Sequence, residues 1–232
     1  MSLNDGTSAS QRAASSTANR YDVVIFDFDG TLADSGPWFR SVMNDVAKHF
    51  GFRAVGEEEF EALRGRPAHE VVKLLGVPRW KLPFIARHFR KLMSDDSVQI
   101  FLFDGIDELL AALTARGLTI VVASSNSEAN VRRVLGEKNV RHIAHFACGI
   151  GLLGKARVFR ALVRKTKTTP SRVLSIGDEL RDIEASRKAG LSTGAVPWGY
   201  GSADSLRAQV PDHMFESVAE ILDAVTIRET SS

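Results

Sequence analysis

The run Val23-Val24-Ile25-Phe26 constrains the fold of this chain more than any other stretch. A β-strand sends successive side chains to opposite faces. A strand that is apolar at every position therefore needs cover on both faces, which is the habit of parallel sheets with helices on either side. Similar runs return at residues 118–123, 173–176 and 192–196, with weaker ones at about 146–150 and near Met214. The stretches between them carry helical periodicity. Ile106, Leu109, Leu110 and Leu113 mark one helix, which Gly117 ends. Ser127 can cap a second that runs to Leu135, with Gly136 after it. Further helices are expected at about 155–166, at 180–189 before Gly190, and at 218–225. Strands alternating with helices predict an α/β fold built on a doubly wound parallel sheet. Such sheets bind ligands at the carboxyl ends of their strands.

Residues 35–103 break the alternation and read as all helical. Phe39, Val42, Met43, Val46 and Phe50 lie on one face of a helix that Gly51 stops. A short helix over 69–75 ends at Gly76. Another over 80–93 sets Phe84, Ile85, Phe89 and Leu92 on one side, and its Pro83 falls in the first turn, where proline is tolerated. The expected organisation is an α/β core from 21–34 and 104–232 with a helical insertion at 35–103. Its joins fall at 34–37 and 102–105. The first 20 residues are rich in Ser, Ala and Asn and lack an apolar stretch, so they read as a disordered tail and not as a secretory signal.

The 232 residues are 44% apolar, enough for a real core. A net charge of +2, with acids and bases interleaved, gives no basic and aromatic stripe for nucleic acid. No apolar run is long enough to span a membrane. The single cysteine, Cys148, cannot form an internal disulfide, which points to a reducing, cytoplasmic setting and to a small side chain buried in the core. The expected assembly is a monomer or weak homodimer.

Polar residues cluster directly after the strands. Asp27-Phe28-Asp29-Gly30-Thr31 follows the first. One carboxylate there can act as a nucleophile, and a second beside it can pass a proton to a leaving group and later take one from water. Gly177-Asp178-Glu179-Leu180-Arg181-Asp182 follows another strand and opens a helix. Asp178 and Asp182, four apart, can share a face of its first turn. Capping of that helix explains the pair by itself. Together with the first cluster it suggests a hard-cation site suited to Mg²⁺. Ser124 ends the strand 118–123, and its hydroxyl can donate to a phosphate oxygen. Lys155 opens a helix, where a cation opposes the macrodipole, so a functional reason for it is plausible.

These clusters, in this order and covering the chain from Tyr21 onward, resemble the haloacid dehalogenase superfamily of aspartate-nucleophile phosphatases. The segments Leu63-Arg64-Gly65-Arg66-Pro67 and Trp198-Gly199-Tyr200-Gly201 look similar to its phosphoglycolate-phosphatase-like members. The resemblance implies a Rossmann-like core with a C1-type helical cap, Mg²⁺ as cofactor, a small phosphorylated metabolite as the partner, and an aspartyl-phosphate intermediate on Asp27. It assigns general acid/base work to Asp29, whose backbone carbonyl would face the metal. Ser124 would hold the transferring phosphoryl group, and Lys155 would neutralise charge on Asp27 and phosphate. Asp178 would ligate the metal, with Asp182 supporting it directly or through water. Gly30, Thr31, Ser125 and Asn126 are expected at the substrate, and Arg66 is the candidate selector of the leaving group.

The resemblance leaves two alternatives. A β-phosphoglucomutase-like mutase shares these motifs but carries an arginine where this chain has Ala68. An inactive binding homologue would have lost a motif carboxylate or the lysine, and none is lost. Dehalogenases lack the second aspartate, which Asp29 retains.

Overall fold

The computed structural model describes residues 18–95, 98–151 and 154–226. The expected tail lies outside the described residues as far as residue 17. Its last part is tied down: Asn19 bridges Thr226, and Arg20 N–H donates to the carbonyl of Val225 at 2.8 Å. Residues 19 and 20, assigned to that tail, are thus held against the end of the described chain.

Six strands form one parallel sheet: β1 Val23–Phe26, β2 Thr119–Ala123, β3 Ile143–Ala147, β4 Val173–Gly177, β5 Ser192–Ala195 and β6 His213–Met214. Their spatial order is β3-β2-β1-β4-β5-β6. The chain winds outward from β1 in one direction, then crosses back to β4 and winds outward in the other. The reversal falls between β1 and β4, the crevice where sheets of this kind bind ligands. Phe26 is in register with Val122 on one side and Ile176 on the other. Two residues beyond those partners stand Ser124 and Asp178, so the sheet itself brings the separate motifs to one level.

The full burial of β1 follows from its two packed faces. Val24 and Phe26 pack with α5 (Ile106–Ala115), α6 (Glu128–Val140) and α10 (Val218–Ala224). Val23 and Ile25 pack with α7 (Lys155–Lys165) and α8 (Leu180–Ala189) on the other face. No helix among the described residues is long and apolar enough to cross a membrane.

Among the described residues of the insertion stand four α-helices, α1 Gly36–Phe50, α2 Glu57–Leu63, α3 Ala68–Leu74 and α4 Leu82–Met93, with a 3₁₀ turn at Arg79–Lys81 leading into the last. They share a small core in which Met43, Val55 and Leu75 are buried and Phe39 stacks on Phe89 with centroids 5.0 Å apart. The two joins run side by side. Asp34 N–H donates to the Phe101 carbonyl at 2.9 Å, and Phe103 N–H to that of Leu32 at 3.0 Å.

One local expectation needs correction. The strand placed at 146–150 is β3 at Ile143–Ala147. Beyond it the backbone leaves the ladder and holds the loop after β2: Gly149 N–H donates to the Asn126 carbonyl and Ile150 N–H to that of Ser124. The helix expected to end at Leu135 does break at Gly136 (φ 69°, ψ 163°), and a second helical stretch follows to Val140. Two short helices were not legible, α2 and α9 (Ala203–Ala208). The first buries no residue fully and the second only Leu206, so neither has an apolar stripe to announce it.

Candidate active site

Asp27 continues the ladder of β1 by donating its N–H to the Ile176 carbonyl at 2.9 Å. Its side chain is buried at the carboxyl edge of the sheet. One carboxylate oxygen accepts from Phe28 N–H at 2.8 Å, and the other lies 2.8 Å from Lys155 Nζ. Lys155 reaches this point from the first turn of α7 and also contacts Asp182 Oδ1 at 2.5 Å. Two carboxylates thus offset the unfavourable placing of a cation at a helix N-terminus. The other Asp182 oxygen accepts from Glu179 N–H at 3.1 Å, closing the capping box of α8. The capping explanation and the functional one hold for the same residue, and both Asp182 oxygens are engaged by the protein.

Asp178 is wholly buried. Thr31 Oγ1 donates to one of its oxygens at 2.9 Å, and Tyr200 N–H to the other at 2.7 Å. The Thr31 hydroxyl, expected at the substrate, is therefore spent on Asp178. Gly30 (φ +77°) and Gly199 press the backbone against this carboxylate. A Cβ at either would come 2.2 Å from Asp178 Oδ2. That close approach explains the glycine in Asp-Gly-Thr and the first glycine of Trp-Gly-Tyr-Gly.

Asp29 is half-buried and borders the large cavity described below. Asn126 Nδ2 donates to it, at 3.2 Å to the nearer oxygen. The Asn126 carbonyl oxygen in turn accepts from Ser127 N–H and Asn130 Nδ2, so the amide is held in place. Ser124 Oγ accepts from Asn126 N–H at 2.9 Å, which leaves its own proton to give. Ser125 offers its carbonyl to Arg90 Nη1 of α4 at 3.0 Å, a bond between core and insertion.

Five carboxylates (Asp27, Asp29, Asp178, Glu179 and Asp182) meet two cations, Lys155 and Arg181. Burial pushes the Asp178 carboxyl well above its ordinary pKa, and the charges of Glu179, Asp27 and Asp182 push it further. Burial also raises Asp27, against the pull of Lys155. Asp29 rises to about 6, through burial first and the Asp27 charge second. Burial works against the Lys155 ammonium, but Asp182 and Asp27 outweigh it and hold it charged. Asp27, Asp178 and Asp182 each offer an oxygen, all within 4.8 Å of one another. An all-oxygen donor set with surplus negative charge fits a hard divalent cation.

A cavity of about 510 Å³ lies between this edge of the sheet and the helical insertion. Arg66, the expected selector, lines it but is exposed, and its Nε turns back to the Ala62 carbonyl at 3.3 Å. Arg64 makes the crossing instead, donating to the carbonyls of Gly199 at 3.0 Å and Gly201 at 3.4 Å. Ala68, where the mutase carries arginine, lines the cavity without charge. Sequence reasoning also passed over Arg181. It pairs with Glu179, borders both the cavity and the small cleft beside Lys155, and its buried Nε has no hydrogen-bond partner among the described residues. The Gly-Asp-Glu-Leu-Arg-Asp motif contained both residues, but nothing in it tells which way the guanidinium points. Cys148, expected in the core, is only half-buried, and its thiol is pushed up to about 11, chiefly by burial, which disfavours the thiolate.

A doubly wound α/β sheet with a buried carboxylate–lysine cluster at its switch point, overlaid by a helical insertion, defines a class of hydrolytic enzyme. The haloacid dehalogenase-like hydrolase family model matches residues 24–196, and the chain belongs to that family. It is 34% identical over 204 residues to the phosphoglycolate phosphatase of Synechococcus elongatus, covering 88% of this chain and 96% of that one. It is 30% identical over 197 residues to the tyrosine-protein kinase PtkA of Mycobacterium tuberculosis, covering 83% of this chain and 68% of the relative. A predicted phosphatase from Clostridium acetobutylicum shares the fold with a TM-score of 0.74 at 22% identity, over 88% of this chain and 97% of that one. The protein is a hydrolase, similar over most of its length to phosphatases.

Proposed function

We propose that this protein is a cytoplasmic, Mg²⁺-dependent phosphatase that hydrolyses a small organic phosphate monoester through an aspartyl-phosphate on Asp27. The observation that carries this reading is the Asp27–Lys155 contact at 2.8 Å with the half-buried Asp29 beside it on the cavity. The Lys155 ammonium works against the burial of Asp27, favours its charged form and fixes the direction of the oxygen it contacts. A second carboxyl with a pKa of about 6 can give and take a proton near neutrality.

In the first half-reaction an Asp27 oxygen attacks phosphorus and the ester P–O bond breaks. Protonated Asp29 gives its proton to the departing alkoxide. In the second, ionised Asp29 takes a proton from water as that water attacks phosphorus, and Asp27 is released with inorganic phosphate. The Ser124 hydroxyl holds a phosphoryl oxygen in this scheme, helped by the backbone around Gly30 and Ser125, while the Asn126 amide steadies Asp29 beside the substrate. Lys155 offsets charge on nucleophile and phosphate, and Asp182 positions Lys155. Arg181 adds a second cation at the phosphate end. Asp27, Asp178 and the Asp29 carbonyl would hold Mg²⁺, which when bound supplies charge neutralisation to the phosphate oxygens. Residues 35–103 act as a cap that keeps water from Asp27 and limits substrates to those that fit beneath it.

The test is kinetic. Asp27→Asn keeps the shape and removes the attacking charge, and should cost about a thousandfold or more in kcat on an aryl phosphate. EDTA should abolish wild-type turnover, Mg²⁺ should restore it, and Ca²⁺ should restore it poorly because its looser shell misplaces the phosphate. Activity of Asp27→Asn within tenfold of wild type, or full activity after exhaustive chelation, refutes the mechanism.

A further inference from the structure

The cavity beside Asp29 is amphipathic along its length. The charged groups that the insertion adds to it are Arg40, Arg64, Arg66 and Arg90, while Asp29, Asn126 and Arg181 line it where the strands end. From there it runs into the insertion, between walls that include Trp38, Met43, Phe60, Val71, Leu75 and Ile85. Met43 and Leu75 also belong to the insertion's own small core. The space is therefore continuous with that core and is no mere surface dip. Protein interiors normally close such gaps to crystal-like density. At about 510 Å³ this one far exceeds the ~10–15 Å³ that a single water needs, yet its rear offers water few polar partners. Four arginines of the insertion line the cavity, and each has a partner elsewhere: Arg64 donates to the Gly199 and Gly201 carbonyls, Arg90 to that of Ser125 and Arg66 to that of Ala62, and Arg40 pairs with Glu61.

We infer that the natural substrate is a phosphate monoester whose leaving group is a bulky apolar body, a hydrocarbon chain or ring system that fills the insertion's core. The inference rests on the phosphatase reading for the phosphate end alone. A two-carbon leaving group such as glycolate would sit near Asp29 and leave the apolar rear empty. A long apolar one would complete the packing of the insertion, and so favour the closed site only when the right ester is bound.

The test separates binding from turnover. Binding of n-alkylphosphonates from methyl to octyl is measured calorimetrically on the wild-type protein with Mg²⁺. These compounds keep the phosphate-like head and cannot be hydrolysed at oxygen. Affinity should rise about threefold to fourfold per methylene, the factor that follows from burying one CH₂. The variant Val71→Trp, which fills the rear, should flatten the series. A series that is flat or falls with length in the wild type overturns the inference. Turnover of octyl phosphate and 2-phosphoglycolate is measured alongside. A steep binding series without turnover of either ester would remove the phosphatase reading and keep the apolar pocket. Turnover with a flat binding series would do the reverse.

Discussion

Arg64 and Arg66 stand two positions apart and face different surroundings. Arg64 reaches across to carbonyls of the Gly199–Gly201 loop, while Arg66 bonds only to its own segment at Ala62. Arg64 therefore ties the insertion to the loop that supports Asp178. Losing a charge-assisted bond of this sort costs about 1.5–3 kcal/mol where it is sheltered. Arg64→Ala should lower kcat/KM for an aryl phosphate about tenfold, and Arg66→Ala less than about twofold. Steady-state kinetics on the two variants decides it, and a larger effect at Arg66 would restore that residue as the selector. The sequence gives no means of choosing between them. Both are long cations in one polar turn, and the partner of Arg64 lies 135 residues away.

At the scale of elements, the site depends on loops that touch where side chains have been dispensed with. The Asp27–Ala33 turn and the Trp198–Gly201 loop meet over Asp178. A Cβ at Gly199 would come 2.3 Å from the Gly30 carbonyl oxygen as well as striking the carboxylate. Gly199→Ala must push the loop and Asp178 apart. A displacement of about 1 Å at such a site can cost a hundredfold in rate, and that is the expected fall in kcat/KM, with the Mg²⁺ requirement shifted to higher concentration. Gly56→Ala, whose Cβ would meet nothing within 4 Å, serves as the control and should leave both unchanged. A Mg²⁺ titration of activity in each variant checks this, and a silent Gly199→Ala would mean that the loop does not shape the metal site. The strand-end motifs were legible because a run of apolar residues followed by Asp-x-Asp-Gly-Thr leaves few options. The supporting loop was seen only as a resemblance, since a glycine pair in sequence does not reveal which carboxylate it makes room for.

At the scale of the whole molecule, crowded carboxylates make stability depend on pH and metal together. Asp27, Asp29, Asp178 and Glu179 all have folded pKa values above the ordinary 3.8 or 4.5 of Asp and Glu. Below those ordinary values both folded and unfolded chains are protonated, and the groups cost nothing. As pH rises the unfolded chain ionises first. Stability therefore falls through a window that begins near pH 4 and, for Asp29, extends to about 6. A divalent cation bound at the proposed site would replace the protons and relieve the repulsion. Saturating Mg²⁺, at about a hundred times its Kd, should add about 2.7 kcal/mol, or roughly 5–10 °C in Tm for a chain of this size. The gain should be larger at pH 7.5 than at pH 5. Asp178→Asn should raise the metal-free Tm at pH 7.5 and abolish the Mg²⁺ response. Thermal melts across both pH values decide it, and an equal Mg²⁺ shift at each would count against a carboxylate metal site.

The sequence by itself determined the alternation of buried strands and helices, the helical insertion, and the residues that end the first and fourth strands. Those are properties of neighbours in the chain: periodicity, turn chemistry, and a polar cluster straight after an apolar run. Tertiary structure decided that Lys155 joins Asp27 and Asp182, that Thr31 serves Asp178, and that Arg64 and not Arg66 bridges insertion and core. It also decided that the insertion is hollow beside Asp29. A side chain's direction and the space left between helices depend on how elements sit against one another, and residues far apart in the chain carry no local mark of that meeting.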